Sequence, residues 1–311
     1  MKPQLWMVRS LPGADLAPLR ALLEVAGGEP LPRPALLEAA RDAAVLVVTY
    51  LDRVDEALLA ALPRLRHVAS YGVGVNHVDL EACRRRGVLV TNTPGVVTNA
   101  TADQAAALLL AAARRVAEGD RVIRAGGWTN VDPGWMLGTE VTGKTVGVVG
   151  FGRIGQAFAR RLAGFEVRLL YTSPRPVEFP GARRVELDAL LAESDFVSLH
   201  VPLTPATENL LSRERIARMK PGAILVNTAR GQVLDDAALA EALAQGRLAA
   251  AGLDVFRDEP RVPAAFLSLP NVVLAPHLGS GTRETRAAMS RMVIEEVVRV
   301  ARGEEPRHRV V

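Results

Sequence analysis

The chain carries a single cysteine, Cys83, among 311 residues. One thiol makes no intrachain disulfide and no thiolate metal cluster, so neither is available to staple the fold. Long hydrophobic runs are missing as well. The longest candidate, Ala105 to Ala113, falls well short of the ~18 apolar residues that a membrane-spanning helix needs. Pro3 and Arg9 interrupt the N-terminus before a secretory apolar stretch develops, and a cytoplasmic protein is expected. Aromatic residues make up only 4% of the chain, and none is interleaved with the one dense basic run, Arg84-Arg85-Arg86. A groove for single-stranded nucleic acid wants stacking rings beside its charges. The net charge is +4, from 38 basic against 34 acidic side chains. Nucleic acid is therefore not an expected partner, and the arginine run reads as a solvated helix end. Lysine is scarce too, at Lys2, Lys144 and Lys220, so the basic residues are almost all arginine.

What is present is a regular alternation. Short apolar runs predict strands at 44–49, 67–70, 88–91, 145–150, 167–171, 196–200, 223–227, 250–254 and 272–275. Helical patterns lie between and after them, among them 55–61, 187–192, 237–244 and 283–302. Strands apolar on both faces and separated by helices indicate parallel sheets covered on each side, an α/β protein. A length of 311 residues suggests about two domains.

The position of one glycine motif organises the chain. The run 145–149 leads into Gly150-Phe151-Gly152-Arg153-Ile154-Gly155, and a helical pattern follows. Strand, glycine turn and helix start together are the context in which G-x-G-x-x-G binds a dinucleotide. Gly150 permits the tight turn, Gly152 lets backbone approach a pyrophosphate, and Gly155 lets the helix pack on its strand. Six strands are read from the motif to Ala275, enough for a dinucleotide-binding unit. The helix at 283–302 is left over after that sheet, and most simply returns to the first domain. The predicted division is a discontinuous first domain, 1–98 and 282–311, with a dinucleotide domain at 99–281 inserted in it.

An NAD-selective site places Asp or Glu about 20 residues past the fingerprint, on the ribose 2′-hydroxyl. Here the second strand ends in Tyr171-Thr172-Ser173-Pro174-Arg175, without the acid. The hydroxyls of Thr172 and Ser173 and the cation of Arg175 suit a 2′-phosphate instead. NADP(H) is the expected cofactor, with NAD(H) possible as a second choice.

Ligands of open α/β sheets bind beyond the carboxyl ends of the strands. Just after the last three strands come Arg230, Glu259 and His277. A guanidinium holds a carboxylate and polarises an adjacent ketone. An imidazolium protonates the ketone oxygen as a hydride reaches carbon, and a neighbouring carboxylate favours that charged form. The set suits reduction of a 2-oxo acid. Each residue alone also has a plain structural reading, and so does His200 after another strand.

These residues sit in a longer series of motifs: Gly147–Gly155 (GVVGFGRIG), Val201–Glu208 (VPLTPATE), Asn227–Gly231 (NTARG), Ala250–Val255 (AAGLDV), Glu259-Pro260 and Pro276–Ser280 (PHLGS). Upstream lie Val73-Gly74-Val75, Thr93-Pro94-Gly95 and Gly126-Gly127-Trp128. With them the whole chain resembles the D-isomer-specific 2-hydroxyacid dehydrogenases, and within them the glyoxylate/hydroxypyruvate reductases. The resemblance implies two Rossmann-like, doubly wound parallel-sheet domains, a flavodoxin-like substrate domain and a dinucleotide-binding one. It implies His277 as the acid/base, Glu259 as its partner and Arg230 on the substrate carboxylate and carbonyl. Backbone N–H groups at Val73 and Gly74 would help cradle the carboxylate, and Trp135 resembles a loop tryptophan that enters the neighbouring subunit's substrate pocket. Arg153 and Ile154 would meet the pyrophosphate, while Pro202, Thr228, Asp254 and Gly279 would line the cofactor, Asp254 near the nicotinamide. A homodimer formed through the dinucleotide domains is implied, acting on a small 2-oxo acid.

Two departures stand out: Asn76-His77-Val78-Asp79 after the Val-Gly pair, and Asp103 where many relatives carry Glu. Other substrates of the same family, of the D-lactate, phosphoglycerate or formate type, are weighed against this reading. With His277 so near Val311, the regulatory domain of many phosphoglycerate enzymes is not expected, and Glu259 stands where formate enzymes carry glutamine. A dinucleotide-sensing corepressor, resembling the C-terminal binding proteins, is the alternative from another class. It would be expected to carry the NAD-type acid and long disordered extensions, and neither is read here.

Overall fold

The computed structural model describes residues 2–311. It divides into two compact units, Met1–Val97 with Ser280–Val311, and Thr98–Gly279. The boundaries read from the sequence, 98/99 and 281/282, lie one and two residues later.

In the first unit five strands form one parallel sheet. They are β1 (Gln4–Met7), β2 (Glu24–Gly27), β3 (Ala43–Val48), β4 (His67–Ser70) and β5 (Leu89–Thr91), in the order β2-β1-β3-β4-β5. This is the flavodoxin-like winding, with its switch point between β1 and β3. The central strands β3 and β4 are buried almost throughout, because helices cover both faces. Leu46, Leu58, Leu59, Leu62, Leu65 and Val68 fill the core. The long helix Arg283–Ala301 belongs to this unit. Its N-cap Thr282 accepts from the Thr285 N–H, and Ser290 Oγ donates to the Pro12 carbonyl at 2.7 Å. Buried Glu296 accepts the Arg307 N–H at 2.9 Å and turns the C-terminal tail back, where Val310 N donates to Val90 O on edge strand β5.

The second unit holds seven parallel strands. They are β6 (Thr145–Val149), β7 (Arg168–Thr172), β8 (Ala182–Arg184), β9 (Phe196–Leu199), β10 (Ile224–Asn227), β11 (Ala250–Leu253) and β12 (Val272–Leu274). Their order, β12-β11-β10-β9-β6-β7-β8, is the dinucleotide-binding winding with one strand added beyond the usual six. The sequence reading counted six because β8 gives almost no apolar signal; it is a three-residue edge strand, half-buried at Ala182 and exposed at Arg183 and Arg184. Strands β1 and β2 were missed for the same reason, one being buried only at alternate residues and the other a mostly exposed edge. Strands β6, β9, β10 and β11 are buried on both faces, between helices Thr98–Ala113 and Arg153–Arg161 on one side and Leu187–Glu193 and Asp236–Ala244 on the other.

Arg115, at φ 54°, breaks the chain between helix Thr98–Ala113 and helix Val116–Arg124. The second of these helices buries none of its residues, and Val116, Ile123, Trp128, Val131, Trp135 and Leu137 all stand exposed. The arginine run ends in ion pairs, Arg84 with Glu81 and both Arg85 and Arg86 with Glu56.

His67 is fully buried and His200 is half-buried with its ring against Phe158. His67 Nε2 meets Thr91 Oγ1 at 2.8 Å, and His200 Nε2 meets Ser198 Oγ at 2.9 Å. Burial pushes their pKa values down to about 4 and about 3. In the unfolded chain both titrate near ~6.5. The unfolded state then binds more protons below that pH, so their contribution to stability is complete above it and is lost progressively as the pH falls toward the folded values. Denaturant unfolding is expected to show stability falling between pH 6.5 and 5, and a His67→Asn, His200→Asn double variant is expected to flatten that slope. An equal slope in the variant would assign the pH dependence to other groups.

Candidate active site

The loops leaving β10, β11 and β12 lie side by side, because these strands are neighbours in register: Asn227 pairs with Leu253, and Leu253 with Leu274. Each loop presents one candidate residue. After β10, Asn227 Oδ1 accepts the Ala229 N–H and Asn227 Nδ2 donates to the Arg230 carbonyl, both at 2.9 Å, which fixes the turn carrying Arg230. After β11, Glu259 folds back so that Oε1 accepts the Phe256 N–H at 2.9 Å. After β12 comes His277, whose Nδ1 meets Glu259 Oε2 at 2.7 Å. Both side chains are mostly shielded, with 17% and 15% exposure. Burial pushes the Glu259 carboxyl up, but the hydrogen bond and charge of His277, the Phe256 N–H and the charge of Arg230 outweigh it and hold the group below the usual carboxylate range. Arg230, Glu259 and His277 are thus brought into one electrostatic neighbourhood.

His277 sits at φ 54°, in the left-handed region that a residue with a side chain rarely adopts. Asp254, fully buried at the end of β11, holds it there. Its carbonyl accepts the His277 N–H at 2.8 Å, Oδ1 accepts the Leu278 N–H and Oδ2 the Gly279 N–H, each at 2.7 Å. Gln104, on helix Thr98–Ala113, donates to Oδ1 at 3.4 Å. Burial raises the Asp254 pKa despite these donors and the nearby His277. Asp254, expected from the resemblance to line the cofactor near the nicotinamide, also holds the His277 turn with both carboxylate oxygens.

The glycine motif forms the other half of this unit's site. Gly150 has φ +91°, and a Cβ there would lie 2.8 Å from the His200 carbonyl carbon; one at Gly155 would lie 2.2 Å from the Gly150 oxygen. At Gly152, the N-cap of helix Arg153–Arg161, a Cβ would meet nothing within 4 Å. No side chain caps this helix start, and a helix N-terminus of this kind is where a pyrophosphate binds. Arg153 is exposed and Ile154 half-buried beside it. The Gly150 N–H donates to the Thr172 carbonyl at 3.0 Å, placing the 172–175 loop next to the motif. Ser173 Oγ donates to the Arg175 carbonyl at 2.5 Å, and Arg175 itself is exposed. Arg184 on β8, which sequence reasoning missed with its strand, donates to the Ser173 carbonyl at 3.0 Å and braces this loop. Tyr171 stacks on Phe151 at 4.2 Å and its hydroxyl donates to the Val177 carbonyl, closing the loop from below. Thr228 Oγ1, just after β10, is buried with no hydrogen-bond partner in the protein. These features fit a nicotinamide dinucleotide. Pro202 is exposed in the turn after β9, where its carbonyl accepts from Thr207 Oγ1 at 2.6 Å.

Trp135 lies in the exposed 128–137 segment of this unit. Val73 and Gly74 belong to the first unit, in the loop after β4, where the Val73 carbonyl accepts from Asn92 Nδ2 at 2.8 Å.

Comparison with known proteins converges on the same class. Residues 106–279 match the family described as D-isomer specific 2-hydroxyacid dehydrogenase, NAD binding domain. The chain is 45% identical to the glyoxylate reductase of Thermococcus litoralis over 317 aligned positions, covering 98% of this chain and 96% of that one. A protein of Thermus thermophilus with a known crystal structure superposes with a TM-score of 0.94 at 47% identity, over 99% of this chain and 100% of that one. The NADPH-dependent glyoxylate/hydroxypyruvate reductase of Sinorhizobium meliloti, solved with NADP and malonate, superposes with a TM-score of 0.90 at 34% identity, over 100% and 97% of the two chains. Fold and site together define a nicotinamide-dinucleotide oxidoreductase acting on 2-hydroxy acids. The chain belongs to the D-isomer specific 2-hydroxyacid dehydrogenase family.

Asp254→Asn replaces one acceptor oxygen with a donor that opposes a backbone N–H. The expected result is a loss of about 1–3 kcal/mol in stability and faster amide hydrogen exchange at Leu278 and Gly279, read by NMR or mass spectrometry. Unchanged exchange at both amides would remove Asp254 as the clamp of this turn.

Proposed function

We propose that the protein reduces a small 2-oxo acid, glyoxylate or hydroxypyruvate, to the 2-hydroxy acid, glycolate or D-glycerate, with NADP(H) preferred. The observation that carries this reading is the 2.7 Å contact between His277 Nδ1 and Glu259, with the charge of Arg230 close enough to act on the same carboxylate. By their names the Thermococcus protein reduces glyoxylate and the Sinorhizobium protein glyoxylate and hydroxypyruvate.

When bound, the dinucleotide supplies the hydride. It would be held by the N–H groups after Gly152, by Arg153 and Ile154, by Pro202, Thr228, Asp254 and Gly279 along the strand ends, and by Thr172, Ser173 and Arg175 at the adenosine end. The protein's own groups manage charge. Arg230 offers planar donors to the substrate carboxylate and to the ketone oxygen, which becomes more basic as carbon is reduced. Glu259 accepts from His277 Nδ1, which orients the ring and stabilises its protonated form, so that Nε2 is the nitrogen that delivers a proton to the forming alkoxide. In the reverse direction the neutral imidazole takes that proton back. In this reading residues 1–98 and 282–311 make the substrate-binding domain and 99–281 the dinucleotide-binding domain. We assign the exposed apolar side chains from Val116 to Leu137, Trp135 included, to pairing of two copies through the dinucleotide domain.

The deciding assay follows loss of reduced-nicotinamide absorbance with glyoxylate, hydroxypyruvate and pyruvate, each with NADPH and NADH. Turnover of the first two, faster with NADPH, is expected. Binding of dinucleotide without turnover of any pair would overturn the enzymatic reading. His277→Ala is expected to lower kcat by about two to four orders of magnitude while dinucleotide affinity, read by fluorescence, stays unchanged.

The cofactor loop has its own test. Thr172→Asp sets a carboxylate where a 2′-phosphate would lie, and is expected to shift the NADPH-to-NADH ratio of kcat/KM toward NADH by about tenfold, equivalent to ~1.4 kcal/mol of repulsion. A ratio that does not move would detach that loop from cofactor choice.

A further inference from the structure

The turn that carries Arg230 continues as a short 3-10 segment, Gly231–Val233. It presses directly on the loop that carries Glu259. A Cβ on Gly231 would lie 2.0 Å from the Phe256 carbonyl carbon and 2.2 Å from the Arg257 nitrogen, so only glycine lets the two backbones meet. Two side chains then cross the contact in opposite directions. Gln232 Nε2 donates to the Arg257 carbonyl at 2.8 Å, and Arg257 Nη2 donates to the Leu234 carbonyl at 3.0 Å. On its far side the same turn is held by the 209–211 segment, Asn209 N to Gln232 O at 2.8 Å and Leu211 N to Val233 O at 2.9 Å. The Phe256 N–H, one residue before Arg257, is the donor that holds Glu259 Oε1.

We infer that Gln232 and Arg257 are positioning residues, a reciprocal brace that sets Arg230 relative to the Glu259–His277 pair. The inference rests on the proposed roles of those three residues. Arg230 must meet a planar carboxylate at a fixed angle, and Glu259 is anchored through its own loop, so the relative placement of two loops decides whether both act on one substrate. Loosening the turn weakens the hold of Arg230 on the carboxylate in ground and transition states alike, so the cost falls mainly on KM. The backbone ladder aligns β10 with β11 only as far as Asn227 and Leu253; beyond it the loops depend on these cross-ties. Arg257 reaches past the contact with a charged, multiply donating group, whereas Gln232 supplies the complementary short tie from the other loop.

The experiment compares Gln232→Ala, Arg257→Met, Arg257→Lys and Arg230→Ala in the full-length protein, with glyoxylate and NADPH. Steady-state kcat and KM, dinucleotide Kd and Tm are measured for each. Gln232→Ala and Arg257→Met are expected to raise the glyoxylate KM about tenfold while kcat changes less than KM, with dinucleotide Kd within about twofold of the parent. Arg257→Lys keeps a donor and is expected to recover most of the Arg257→Met loss. The brace is overturned if KM is unmoved in both variants while Arg230→Ala raises it strongly, or if KM rises only in step with weakened dinucleotide binding and lowered Tm. Parental kinetics in Arg230→Ala would instead overturn the assignment of Arg230, and the inference with it.

Discussion

The turn that carries His277 to Glu259 depends on one buried carboxylate. Asp254 accepts three hydrogen bonds from the turn after β12, one at its backbone oxygen and two at its side chain. Without them, His277 would relax from its left-handed backbone, and its imidazole would leave Glu259. The cost of burying Asp254 is visible in its raised pKa, and the backbone N–H groups that meet it offset much of that cost. A polar group fully out of water has been placed where its partners are main-chain atoms, which cannot rotate away.

The same arrangement appears at Asn227, which is also fully buried and spans its own turn with two hydrogen bonds. Position in the sheet determines what such residues do. Both end strands that are apolar on either side, so their side chains are the first polar groups met on leaving the core. A side chain there has no solvent to turn to and therefore organises the loop that follows it.

The α/β class was legible because interior strands such as β6, β9 and β10 are apolar on both faces; the two windings were expected only from the family resemblance, since three of the twelve strands gave no signal. Edge strands gave little: β8 is three residues with two arginines, and its assignment needs the neighbour β7, not the sequence around it. For the candidate site, Arg230, Glu259 and His277 could be read because each follows directly on a strand end, where an α/β sheet places its ligands. Gln104, Gln232, Arg257 and Arg184 could not. Each acts on a carbonyl or carboxylate far away in the chain, and nothing local distinguishes them from surface polar residues. Asp254 lay between these cases: its place at a strand end marked it, but its partners at 277–279 lie beyond the next strand, so its hold on that turn was not legible locally.

Strands β10, β11 and β12 are adjacent and parallel, and the three loops that matter start from neighbouring rungs of one ladder. The starting points of the candidate residues are then inherited from main-chain geometry, and side chains such as Asp254, Gln232 and Arg257 set the turns beyond. Side chains that touch neither the ladder nor its first turns are free to drift. A scaffold of this kind separates invention from framework: residues elsewhere can be exchanged while the three loops keep their common origin.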